Sequence, residues 1–140
     1  MEQPDIPEQL LSDCHYLGRL PACEVLLNRN ASLPWFILVP ETRLSDVLDL
    51  PDEQRQAVLD ECDAVSAFIK QVLGFDKVNL AGLGNVVPAI HLLIIGRIDD
   101  DSCWPQPFWG NLPPGDTYSA EQLLEWQDGL VKMAGMTAVA

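Results

Sequence analysis

The stretch AIHLLIIGR, residues 89–97, holds an imidazole, His91, in an otherwise apolar run that ends on Arg97. An imidazole serves as nucleophile, general base or general acid near neutral pH, because its neutral form carries a lone pair and its charged form a transferable proton. Burying one without a partner costs on the order of 1–3 kcal/mol, so a strand that keeps it either satisfies it inside the core or uses it. In an extended chain alternate residues share a face, which sets Ala89, His91 and Leu93 together. Other catalytic patterns are missing: there is no G-x-S-x-G, no Walker loop and no G-x-G-x-x-G, and AGLGN at 81–85 is a lone short glycine loop. Asp99, Asp100 and Asp101 are consecutive and read as a solvated charge run. Cys14, Cys23, Cys62 and Cys103 lie far apart with no C-x-x-C pair, which predicts reduced thiols; Cys14 with His15 is too small a ligand set for a metal, and no metal or cofactor is expected.

Composition narrows the partners. The chain has 140 residues, 48% hydrophobic and 21% charged, which suits one globular domain rather than a disordered chain. Its formal net charge of −13 argues against a nucleic-acid backbone and against an anionic membrane face, both of which need a basic surface. A small anionic ligand stays possible, since local backbone N–H groups hold it whatever the net charge. The longest mostly apolar stretch, 86–95, falls well short of the roughly 18 residues a membrane span needs, and the acidic start MEQPDIPEQ is unlike a secretory signal, so a cytoplasmic protein is expected.

These groups need a frame. IPEQLLSDC predicts a short helix with Pro7 in its first turn. Cys23–Leu27 and Trp35–Val39 are apolar, β-prone runs separated by NRNAS and a proline, which predicts an antiparallel hairpin. RLSDVLDL predicts one or two helical turns. From Asp52 to Leu73, Val58, Cys62, Val65, Ile69 and Val72 recur at steps of four and three, so they form one stripe of a long helix, widened by Leu59, Phe68 and Leu73 and ended at Gly74. DKVNLAGLG and AIHLLIIGR predict two further strands, the second buried on both faces. The tract DDDSCWPQPFWGNLPPGD predicts an ordered irregular loop anchored by Trp104, Phe108 and Trp109. A final helix starts at Ser119, with Gln122 in capping-box spacing and Leu123, Leu124, Leu130 and Val131 as its apolar side; the tail MAGMTAVA carries no functional signal. The expected class is α+β in a single domain over 1–140, with a core at about 14–110 and a C-terminal extension over 111–140.

Taken in order, LPACEVLLNRNASLPWFILVPE, FDKVNLAGLGNVVP and IIGRIDDDSCWPQPFWG flank the His91 segment in a pattern that resembles a bacterial branch of the histidine triad (HIT) family. The resemblance runs over most of the chain and implies a HIT-like fold: an antiparallel sheet with one long helix across it, a C-terminal helix, and commonly pairing as a homodimer, which the apolar stripe of 58–73 would also suit. It implies nucleotide hydrolase or transferase chemistry, in which the middle histidine of His-x-His-x-His attacks an α-phosphorus to form a nucleotidyl-histidine that water hydrolyses. Carried over, the nucleophile is His91; Asn28 matches a ribose contact, and Asn79 and Asn85 match phosphate contacts, the ligand being a nucleotide or nucleotide conjugate of the purine monophosphate type. The triad is degenerate here, Ala89-x-His91-x-Leu93. Phe36 stands where several members carry a further histidine, and Val86 replaces a hydroxyl residue. Loss of such donors implies weakened catalysis, or a nucleotide-binding or protein-interaction module without any. Arg97, about 20 Å along an extended strand from His91, is too distant to neutralise a phosphate there.

Overall fold

The computed structural model describes residues 6–139. The elements follow in the order α1 (Glu8–Asp13), β1 (Cys14–Arg19), β2 (Cys23–Asn28), β3 (Trp35–Pro40), a 3-10 turn (Val47–Asp49), α2 (Asp52–Gln71), β4 (Lys77–Gly82), β5 (Leu92–Arg97), α3 (Ala120–Ala134) and β6 (Thr137–Ala138). The strands form one six-stranded antiparallel sheet in the order β4-β5-β3-β2-β1-β6. This is the expected α+β architecture, a sheet with a long helix across it and a C-terminal helix. None of the described helices is long and apolar enough to cross a membrane.

Strand alternation divides the core in two. Val25, Leu27, Phe36, Leu38, Leu92 and Ile94 face the helices and meet Val58, Val65, Phe68 and Ile69 of α2 and Leu130 of α3. Leu26, Ile37, Leu93 and Ile95 face the other way, beneath Leu10 of α1 and Cys103 and Phe108 of the loop after β5. β5 is therefore buried on both faces, the condition that its unbroken apolar run requires. Gly74, at φ 79°, terminates the long helix in the left-handed region as its sequence position predicts. The Ser119 side chain caps α3 by accepting from the Gln122 N–H.

Several expectations change. β1 and β6 were not legible: CHYLGR is a short mixed run, and β6 is held only by its pairing with Gly18 and Arg19, where Gly18 lets the Thr137 carbonyl approach to 2.3 Å of the place a Cβ would take. The last long strand starts at Leu92, leaving Ala89 to His91 as an irregular approach. Val72 is 55% exposed, and on α3 Leu124 is 65% and Val131 39% exposed, because α3 lies on the α2 side by Leu130 and Leu123 instead. Along the α2 stripe Val58, Cys62, Val65, Phe68 and Ile69 are buried inside the chain, while Leu59 and Val72 stay exposed. Met136 is 3% exposed and belongs to the main core. Asp101 is not solvated: its side chain is 3% exposed and pairs with Arg97, itself 1% exposed. Of the three loop aromatics only Phe108 is fully buried, edge-on to Trp35, while Trp104 lies over the Arg97 guanidinium.

Candidate functional site

His91 sits one residue before β5, half-buried, and its Nδ1 lies 2.7 Å from the carbonyl oxygen of Ala89. A carbonyl only accepts, so the ring proton of the neutral imidazole sits on Nδ1, and Nε2 keeps its lone pair. The irregular approach at 89–91 makes this bond possible, because a regular strand would aim the Ala89 carbonyl sideways at a neighbour rather than forward over its own chain. The other imidazole, His15, differs: Nε2 is 3.1 Å from Thr117 Oγ1 and Nδ1 is 3.4 Å from the Arg29 guanidinium, so both nitrogens are engaged. Burial, and then Arg29, hold its pKa below the ordinary value. All four cysteines are buried, and burial pushes the thiols of Cys14 and Cys62 up to about 12, well away from thiolate chemistry at neutral pH. The available nucleophilic nitrogen is that of His91.

His91 lines a cavity of about 370 Å³ together with Ser45, Asp46, Asp49, Gly82 and Gly84. The 3-10 turn presents the two carboxylates, and the left-handed Gly84, at φ 63°, bends the chain after β4 towards them. Among the described residues the N–H groups of Gly84, Asn85 and Val86 have no protein acceptor. Free N–H groups on a bent loop make a concave anion cradle. No lysine or arginine lines this cavity; of these three residues only Gly84 lines it, with Asn85 and Val86 on the exposed loop beyond.

The structure separates the predicted contacts. Asn85 lies exposed on the loop beside the cavity. Asn28 accepts the Asn30 N–H through Oδ1 at 2.9 Å, and Asn79 accepts from Arg97 at 3.0 Å. The register sets Asn79 opposite Ile95 and Leu38 opposite Leu92, so Asn28 and Asn79 lie roughly 13 Å along the strands from the level of His91. Arg97 is spent on Asp101 and Asn79, as its distance from His91 led one to expect. Leu93 is 5% exposed in the apolar cluster and supplies no donor. Phe36 faces the helices against Phe68, on the opposite side from Leu93; the residue on Leu93's side is Trp35, whose buried indole Nε1 has no acceptor among the described residues. Ser45, Asp46 and Asp49 escaped the sequence reading, although a carboxylate on each side of a predicted helical turn was a usable signal.

Comparisons with known proteins agree with this frame. The family model of the HIT domain matches residues 9–100. A histidine triad protein from Marinobacter aquaeolei VT8 is 38% identical, with 95% of this chain and 98% of that one covered at a TM-score of 0.85. A histidine triad protein from Bradyrhizobium japonicum is 32% identical over 92% of this chain and 96% of its own, also at 0.85. A hypothetical histidine triad nucleotide-binding protein from Sulfolobus tokodaii shares the fold at 16% identity, with 86% and 83% covered and a TM-score of 0.60. No curated protein matches the chain.

Proposed function

The chain belongs to the histidine triad (HIT) family, and on that premise we propose that it binds a nucleotide or nucleotide conjugate of the purine monophosphate type and attacks the α-phosphorus with His91. The observation that carries this reading is the 2.7 Å bond from His91 Nδ1 to the Ala89 carbonyl, which leaves Nε2 free beside the cavity. The Nε2 lone pair forms the N–P bond as the bond to the leaving group breaks; the leaving group takes that electron pair and a proton from water. Water then attacks the phosphorus, the N–P electrons return to Nε2, and the water's proton passes to solvent. The Gly84 amide at the cavity wall receives a phosphoryl oxygen, with Asn85 on the adjoining loop as the side-chain contact, while Asp46 and Asp49 accept sugar hydroxyls. Asn28 and Asn79 accept from Asn30 and Arg97 through Oδ1 and keep their Nδ2 donors for the ribose and phosphate contacts that the family resemblance implies.

Catalysis is weaker than a full triad would give, because each missing oxyanion donor is worth roughly 10²–10³ in rate. The test is turnover of an adenosine phosphoramidate by the purified chain against His91→Ala: a slow rate that drops at least a hundredfold in the variant is expected, and equal rates would overturn the catalytic role. A second reading, a non-catalytic nucleotide-binding or interaction module, is favoured by one observation: Leu93 buries a hydrocarbon where a donor is needed. In that case millimolar AMP still raises the melting temperature, since a ligand of the native state alone stabilises it. No shift with any nucleoside monophosphate leaves interaction as the function.

A further inference from the structure

A second, larger cavity of about 740 Å³ adjoins the first, and its wall includes Arg19, Glu24, Glu41, Arg43, Ala89 and Ile90. The two cavities are walled by one continuous backbone. Leu44 lines the larger and Ser45 the smaller, Ala89 the larger and His91 the smaller, and Ile90 both. They are two lobes divided by the segment that orients the imidazole.

The lobes differ in charge chemistry. The His91 lobe has carboxylates and no cation. The larger lobe has two of the chain's eight Lys and Arg residues, in a protein of net charge −13. Within it the charges are not equally engaged. Glu24 is 4% exposed and already receives the Tyr16 hydroxyl and the Arg19 guanidinium. Arg19 reaches Glu41 at 3.5 Å, but the Glu41 side chain is 87% exposed, a contact worth little against solvent. Arg43 has no acidic partner among the described residues. The floor beneath these arginines is hydrocarbon, including Val39 and Ile90. An apolar lobe with an uncommitted guanidinium at its rim suits an organic group that ends in an oxyanion, which a guanidinium can bind through paired N–H donors.

We infer that the larger lobe is the leaving-group subsite, and that Arg43, supported by Arg19, selects nucleotide conjugates whose leaving group carries a carboxylate or a phosphate. This rests on the nucleotide reading of the His91 lobe and adds the chemistry of the other half of the substrate. It also uses the difference between the lobes: the smaller holds carboxylates alone, while the larger holds two arginines beside Glu24 and Glu41, with Arg43 the one left without an acidic partner among the described residues.

The test is calorimetric binding to the full chain carrying His91→Ala, which holds a conjugate without turning it over. The probes are the adenosine phosphoramidate of β-alanine, its methyl ester, and ATP as the phosphate-bearing arm with AMP as its reference. The acid is expected to bind about tenfold tighter than the ester and ATP about tenfold tighter than AMP, a single charge-assisted contact at a partly exposed site. Adding Arg43→Gln removes both preferences and leaves the ester and AMP affinities unchanged, while Arg43→Lys restores part of each. Equal binding of acid and ester, or a preference that survives Arg43→Gln, overturns the subsite. If neither the ester nor AMP binds, the nucleotide reading fails, and the subsite falls with it. Loss of ester and AMP affinity together in Arg43→Gln assigns Arg43 to the nucleotide and also overturns the inference.

Discussion

The tautomer of His91 is set by a main-chain carbonyl, and this changes what the proposed loss of its triad neighbours, at Ala89 and Leu93, would mean. A side chain at position 89 is not needed to hold Nδ1, because the Ala89 carbonyl does so at 2.7 Å. On the proposed triad alignment, substitution of the first position is therefore tolerable, whereas Leu93 at the third would withdraw a donor and fill its place with buried hydrocarbon. The expected outcome for Ala89→Gln is a phosphoramidate turnover within about threefold of the parent; a hundredfold change in kcat at constant KM would mean that the side chain, not the carbonyl, governs the ring. The histidine itself was legible in the sequence as a polar group in an apolar run. Its orientation was not, because one hydrogen bond two residues back depends on backbone that joins the strand only at Leu92.

At the scale of elements, the loop after β5 is clasped to the sheet by a buried ion pair. Arg97 donates to Asp101 from Nε at 2.7 Å and from Nη2 at 3.1 Å, and the Cys103 N–H also donates to Asp101 at 3.1 Å. These bonds, Arg97 first, hold the Asp101 carboxyl at about 2 against an ordinary 3.8. A carboxylate depressed in the folded state adds stability that is complete above its unfolded pKa and is lost as pH falls through the folded one. Here that window runs from about pH 4 down to about pH 2, and the loss is about 2 kcal/mol. Urea midpoints across this range should show it, and Asp101→Asn should remove the step while costing about 3 kcal/mol at pH 7, since the guanidinium stays buried without its counter-ion. The sequence presented Asp101 as one of three adjacent acids; only the fold of the loop separates it from exposed Asp99 and Asp100.

For the whole molecule the question is what covers β4. It is an edge strand with Leu80 52% exposed, and the loop beyond it exposes Val86 at 88%. Long exposed edges invite pairing with another chain. The homodimer that the family resemblance implies is thus proposed to form at this edge. Light scattering at micromolar concentration is expected to give the mass of two chains, and Leu80→Lys that of one, because a lysine there would have to be desolvated on pairing. A monomer mass for the parent chain ends the dimer.

The sequence alone determined the class of fold, the long helix with its stripe and its stop, the double burial of the His91 strand, and His91 as the group able to do chemistry. Each depends on periodicity or local backbone preference, which neighbouring residues carry in full. Tertiary structure alone decided the short strands β1 and β6, the burial of Asp101, the face turned by Phe36, and the convergence of Asp46, Asp49 and the Gly84 loop on His91. Those depend on the path of the backbone, which no periodicity encodes: a strand of two residues exists only because its partner is there, and Asp101 is buried only because the loop after β5 folds back on Arg97, four residues before it.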